Sequence, residues 1–479
     1  MEDNRPKWGQ ACSHACCVPQ RIIVGIMSFF ALLFAYTHRV SLSHVITQLV
    51  VPINRTSDDE DKEDVCPADD DVSTTPSDHR GEYRWSEQMQ GIILSCFYVG
   101  YIITHMPGGI LSDKFGAKWV LLICMLISAL CTMLCPLAII YFEEWGLIVD
   151  RVIMGAAQGT MFPAVTALLS AWVPVRERGS LGAFTYSGVI LGTVVSNSCS
   201  GVMLHYFHWS VTLIVFGGLS IVWCIVFLLL CTSRPDGHPC MKPKELSYLI
   251  ETMGDRNKGK LPIPWKELLL SKALVALIIS QIGHDWGYYV MITCLPKYIS
   301  DVIRFSIRSN GFVTALPFLA MFISSNISGF VTDYVIHKGL ISISNIRKLL
   351  TFLAALGPGA LMVAASYAGC DKFLVIALFT ISMFVMGLYY AGQKLTPMDM
   401  SPSFSGTLTA ISNGLGSLAG ILSPTLVGFL TPNATMSEWR IVFWIGLIIM
   451  VISAIIFAIW GTAEVQPYDP TYKGEKKDG

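Results

Sequence analysis

Arg151 stands inside an apolar run, Trp145 to Gly179, that is long enough to cross a bilayer. About 20 residues at a rise of about 1.5 Å span the hydrocarbon. On a helical wheel Arg151, Gln158 and Phe162 (i, i+7, i+11) fall within a stripe about 40° wide. Gly155 and Gly159 lie beside that stripe, at the spacing that lets a second helix approach closely. A second guanidinium, Arg39, lies in the first apolar run. At about 1.5 Å per residue, Arg39 is roughly 15 Å inside the outer end of its run and Arg151 roughly 8 Å inside its own. Burying two such groups is costly unless a cavity, water or an anion offsets it. Their planar donor forks match carboxylate or phosphate. The chemistry indicated is anion binding within a membrane. Snorkelling to the nearer surface is the competing reading for Arg151, and the agreement of two positions weighs against it. Lys394, near the inner end of its run, is expected to snorkel. Asp285, about 20 Å into the seventh run with His284 beside it, falls near the midplane. A carboxyl there can carry a coupling proton or serve as a static partner to an arginine. No hydrolase triad, metal-ligand cluster or phosphate loop appears, so no enzyme, metal centre or cofactor is expected. A coupling ion, H+ or Na+, is the one accessory species the pattern leaves room for.

The elements that must position these residues follow from composition. The 479 residues are 53% hydrophobic and only 14% charged, with a mean hydropathy of +0.55, which describes a polytopic membrane protein. We read an all-α membrane protein of twelve transmembrane helices. The spans fall near 22–49, 87–111, 119–141, 146–171, 179–204, 210–231, 272–299, 309–332, 346–368, 373–396, 405–430 and 440–462. Of the 33 Lys and Arg residues, 21 fall on the side holding both termini and the central loop, 9 on the other and 3 within spans. Positive charge stays inside, so the termini are predicted cytosolic. The sequons at Asn54 and Asn433 then lie outside, where glycosylation occurs, whereas the one at Asn326 lies in a span and is set aside. Cys66 and Cys370 also fall outside, which leaves a bridge between them open. The outer loop 50–86 carries eleven acids between Ser57 and Glu82 without the ligand spacing of a calcium loop, and reads as a solvated, glycosylated cap. The predicted organisation is a cytosolic tail 1–21, a six-helix bundle 22–231, a cytosolic loop 232–271, a second six-helix bundle 272–462 and a cytosolic tail 463–479. Around Glu245–Met253 the central loop is amphipathic and is expected to lie along the inner membrane surface.

The chain also repeats itself. Pro107-Gly-Gly-Ile-Leu-Ser-Asp-Lys-Phe-Gly-Ala-Lys118 follows the second span and Ser328-Gly-Phe-Val-Thr-Asp-Tyr-Val-Ile-His-Lys338 the eighth, with Asp113 and Asp333 in register. Two six-span halves place a substrate site between them at mid-membrane. Asp113 and Asp333 fall where the halves must close, with Arg176 and Arg178 available as partners.

The run Gly109, Leu111, Asp113, Gly116 resembles the signature loop of the major facilitator superfamily. More narrowly, the chain resembles its organic-anion and phosphate branch, which includes sialin, the vesicular glutamate and nucleotide transporters and the type I sodium–phosphate cotransporters. The matching stretches are Arg39-Val-Ser-Leu-Ser, Gly100-Tyr-Ile-Ile-Thr with Pro107-Gly-Gly, Arg151 with Gly155 and Gly159, Phe162-Pro163-Ala164, Arg176-Glu-Arg178 and Ser412-Asn-Gly414. The resemblance implies the major facilitator fold and alternating access. It implies substrate contacts from Arg39 and Arg151, with Tyr186, Tyr289, Ser412 and Asn413 lining the same cavity. Met154 and Gln158 replace the glutamates that sialin-like members carry. His284 replaces an arginine of the glutamate transporters, and Thr396-Pro-Met-Asp399 replaces an Asn-His-Leu-Asp run. The expected function is secondary active transport of a small organic or inorganic anion, by symport or driven by membrane potential. Sodium-dependent phosphate cotransport and a non-transporting receptor on a transporter scaffold are the alternatives. Plasma membrane and vesicular or lysosomal membranes are both compatible, no nucleic-acid partner is expected, and the sequence does not specify an oligomeric state.

Overall fold

A computed structural model describes residues 18–49, 83–85, 87–253, 263–294, 298, 307–431 and 435–472. The outer loop with Asn54 and Cys66, and the sequon at Asn433, lie outside the described residues. Cys370 is disulfide-bonded. Described residues form a bundle of long helices whose side chains are apolar enough to need burial or lipid on every face. Helix α1 (Gln20–Leu49) is followed by α2 (Glu87–Phe115), α3 (Ala117–Gly159), α4 (Met161–Trp172), α5 (Arg178–Tyr206) and α6 (Trp209–Leu230). A short α7 (Pro243–Met253) and α8 (Trp265–Leu269) precede α9 (Lys272–Tyr289), α10 (Ile307–His337), α11 (Ile343–Tyr367) and α12 (Lys372–Met386). The chain closes with α13 (Thr396–Met400), α14 (Ser405–Gly416), α15 (Ala419–Leu430) and α16 (Met436–Trp460).

Ten described stretches are long and apolar enough to cross a membrane. One of them, Ala117–Trp172, has 56 residues, about twice what a bilayer requires. Its backbone leaves helical geometry at Glu143, the one non-glycine residue with positive φ (49°) among those described. That break separates 117–142 from 144–172, close to the division predicted from hydropathy. Helix α9 continues into a π-turn, Val290–Cys294, and is less apolar because it carries Gln281, His284 and Asp285.

Close helix approach explains the glycines. A Cβ on Gly155 would run into the carbonyl oxygen of Phe97, and one on Gly159 into that of Tyr101, so α3 lies directly on the backbone of α2. Gly188 and Gly192 of α5 meet the carbonyls of Phe29 and Leu33 in the same way. Gly116, between α2 and α3, has φ 97°, a left-handed conformation that side chains disfavour. The two halves meet along α5 with α10 and along α14 with α2 and α4. These two seams are equivalent under the internal repeat.

Helix α7 of the central loop is tied to the first half. The Glu245 carboxylate accepts hydrogen bonds from Gln20 N (3.0 Å), Arg21 N (3.2 Å) and Arg21 Nη1 (3.0 Å). Arg21 Nε also donates to Glu177 (2.7 Å), whose other oxygen accepts from the Tyr248 hydroxyl (3.0 Å).

A candidate anion site between the halves

A cavity of about 30 Å³ lies between the halves. It has room for no more than a few waters. From the first half Tyr36, Tyr101 and Phe162 face it; from the second come His284, Asp285, Tyr289, Tyr389, Lys394 and Asn413.

Arg39 reaches the cavity through Tyr289. Its guanidinium packs among four rings, with the carbon 5.4 Å from the Tyr36 centroid, 4.9 Å from Phe97, 4.5 Å from Tyr98 and 5.9 Å from Tyr289. Nη2 donates to the Tyr289 hydroxyl at 3.4 Å. Ring faces attract a desolvated cation, with no carboxylate partner for Arg39 among the described residues. Arg151 is more deeply placed, 3% exposed, with Nη1 on the Met154 sulfur at 3.5 Å and Nε without a partner. It does not line this cavity. Neither does Gln158, whose amide donates to Ala35 O of α1 at 3.3 Å. Ser412 is buried with its hydroxyl turned to Thr409 O (3.4 Å), whereas Asn413 beside it faces the cavity. Tyr186 stacks on Phe162 and shares a 2.5 Å hydrogen bond with Thr166.

The Asp285 carboxylate faces the cavity and is held locally. Gln281 Nε2 lies 2.9 Å from both its oxygens and His284 Nδ1 3.2 Å from one. The His284 ring stacks on Tyr389, centroid to centroid 3.4 Å, and the Tyr389 hydroxyl donates to Gln281 Oε1 at 2.6 Å. No arginine touches this carboxylate among the described contacts.

On the side that carries the central loop, the two repeat-related aspartates clasp the opposite halves. Asp113 accepts from Thr407 N (2.8 Å) and Thr407 Oγ1 (2.7 Å), in the first turn of α14. Asp333 accepts from Gly179 N (2.8 Å), Ser180 N (2.7 Å) and the Ser180 hydroxyl, in the first turn of α5. Each carboxylate thus fills unsatisfied donors at a helix N-terminus, where the dipole also favours negative charge. This corrects the expectation that Arg176 and Arg178 would be their partners. Arg178 instead crosses to the second half, with Nη1 on Asp399 (3.0 Å) and on Met398 O (2.8 Å). Arg347 Nε takes the other Asp399 oxygen at 3.0 Å. Arg176, with Glu177 and Asp333, lines a separate cleft on the same side.

A family model of the Major Facilitator Superfamily matches residues 24–424. The chain belongs to that superfamily. Within it, a putative inorganic phosphate cotransporter of Drosophila melanogaster is 35% identical over 472 residues, covering 96% of this chain and 88% of that protein. Sialin of Homo sapiens is 32% identical, covering 94% and 91%. Vesicular glutamate transporter 1 of Bos taurus is 28% identical, covering 96% and 80%. Among solved structures, the proton:xylose symporter XylE superposes with a TM-score of 0.69 at 14% identity, over 93% of this chain and 97% of that one. The E. coli fucose:proton symporter FucP does so with 0.60 at 13% identity, over 91% and 98%. This major facilitator protein is therefore a multi-pass membrane transporter of the sialin and phosphate-cotransporter branch, and not an enzyme.

Three residues of the site escape a reading of the sequence. Lys394 does not snorkel; it is 7% exposed and faces the cavity. Arg347, at the inner end of the predicted span 346–368, counts in the sequence only as an inner-side cation, yet it is fully buried on Asp399. Asp399 is visible only as a member of a motif, with no hint that two arginines converge on it.

Proposed function

We propose that the chain is a secondary active transporter of a small anion, moved by alternating access between two six-helix bundles. The observation that carries this is the Arg39 guanidinium, without a carboxylate partner among the described residues, held by aromatic rings from both halves and hydrogen-bonded to Tyr289 of the opposite half. A cation so placed is available to an acidic substrate, and its link to the opposite half lets substrate binding bear on the closure of the two bundles. Arg151 lies behind it with an unused donor, and supplies the second contact once the cavity opens. Tyr186, Tyr289 and Asn413 shape the space, with Gln158 and Ser412 behind them, while Asp285 and His284 are the groups able to couple a proton. Twelve spans, cytosolic termini and glycans on Asn54 and Asn433 complete the topology.

Sodium-dependent phosphate transport is the second reading, favoured by the similarity to putative inorganic phosphate cotransporters. Counterflow of labelled phosphate, glutamate and sialic acid into proteoliposomes, with and without sodium, tests both. Uptake of an organic anion without sodium selects the first reading, and sodium-dependent phosphate uptake selects the second. Exchange of no anion at all would leave the receptor alternative.

A further inference from the structure

Lys394 is the one lysine or arginine lining the cavity among the described residues, and its surroundings are incomplete. Its ammonium donates to Asn413 Oδ1 at 2.8 Å and lies 4.3 Å from the Phe162 ring centroid and 5.4 Å from that of Tyr186. An ammonium has three protons to donate, and only one has an acceptor among the described residues. Two ring faces and one amide oxygen do not replace the hydration shell of a primary amine, so the charge needs an anion. The cavity's own acid acts on this charge only through space. Asp285 forms no ion pair with Lys394 among the described contacts, and Gln281 and His284 already occupy its oxygens. Asn413 is oriented by its second bond, from Nδ2 to the Tyr101 hydroxyl at 3.4 Å, which leaves its carbonyl aimed at the lysine. Tyr289, which carries the Arg39 contact, lines the same small cavity as Lys394.

We propose that Lys394 is a substrate-binding residue and that the site takes a dianion, one acidic group meeting Lys394 and the other Arg39. This rests on the anion-transporter reading and narrows its substrate class. A monoanion would contact one of the two cations and leave the other without a direct anionic partner. A dicarboxylate, or a doubly ionised phosphate, answers both.

Thermal unfolding of the full-length purified protein with succinate, inorganic phosphate or lactate is the test, performed on wild type, Lys394→Met and Arg39→Gln. Succinate and phosphate should stabilise the wild type at lower concentrations than lactate does. Lys394→Met, close in volume, should melt higher than wild type without anion, because a buried charge with no direct ion-pair partner has been removed. It should also lose the preference for dianions, with apparent succinate affinity weakened about tenfold or more. Arg39→Gln should weaken all three anions. If Lys394→Met keeps the dianion preference, or fails to fold, Lys394 is structural and the proposal is wrong. Equal stabilisation of the wild type by lactate and succinate also overturns it. In either case a loss of anion response in Arg39→Gln leaves the transporter reading standing. No response of the wild type to any of the three anions removes both.

Discussion

The two arginines differ in how they are held, and that difference predicts different behaviour. Among the described residues Arg39 contacts four rings and a hydroxyl, so removing it forfeits ring contacts but breaks no ion pair and should act mainly on binding. Arg39→Ala and Arg39→Gln should abolish uptake while surface expression persists, and Arg39→Lys should rescue poorly because a point charge lacks the bidentate fork. Arg151→Ala should abolish uptake as well. Near-normal transport by both alanine variants would remove the two-arginine site. Asp285 poses a separate question, because Gln158 and Met154 cannot titrate. Imposing pH and voltage gradients separately on reconstituted wild type and Asp285→Asn addresses it. If Asp285 carries the coupling proton, a pH gradient drives only the wild type, and adding Gln158→Glu to Asp285→Asn partly restores the pH-driven uptake. A pH gradient that drives neither protein, with voltage driving both alike, would assign Asp285 a static role.

At the scale of elements, closure depends on carboxylates at helix ends. A hydrogen bond to a charged group contributes roughly 1.5–3 kcal/mol and the helix dipole roughly 0.3–1 kcal/mol, so each clasp is strong enough to bias an equilibrium between two packings. Asp113→Asn keeps the shape but weakens the clasp, and should lower turnover several-fold while changing apparent affinity little. A pure change in apparent affinity in concentration-dependent uptake would count against gating by this residue. The α2–α3 contact is a separate matter of volume. Gly155→Val places methyls against the Phe97 carbonyl in a backbone-to-backbone contact, an overpacking that should cost about 1–3 kcal/mol or more. A thermal melt of the purified variant checks this, and an unchanged melting temperature would show that the two helices can separate freely. Glycine spacing of this kind was legible in the sequence because it depends on one helix's periodicity. The long apolar stretches were legible for the same reason, including the division that the structure realises at Glu143. The partners of Arg178 were not. Its pairing with Asp399 joins residues 221 apart, and nothing local distinguishes a carboxylate partner from a helix N-terminus. Lys394 was misjudged because depth in a span says how far a side chain must reach for water, not whether Phe162 and Asn413 stand in its path.

Across the whole molecule, the clasps are exchanged between the halves: the first supplies Asp113 to α14, and the second supplies Asp333 to α5. Neither half can therefore complete its own helix ends. A half alone would present an uncapped N-terminus and a stranded carboxylate, the two defects its counterpart repairs. Arg178 on Asp399 adds a third reciprocal need. Helix α7, meanwhile, stays with the first half through Arg21 and Glu245. The covalent connection between α7 and α8 then raises the local concentration of one half near the other. Cutting the chain there and co-expressing the two pieces should give a complex that co-purifies and still transports, whereas either piece alone should be degraded.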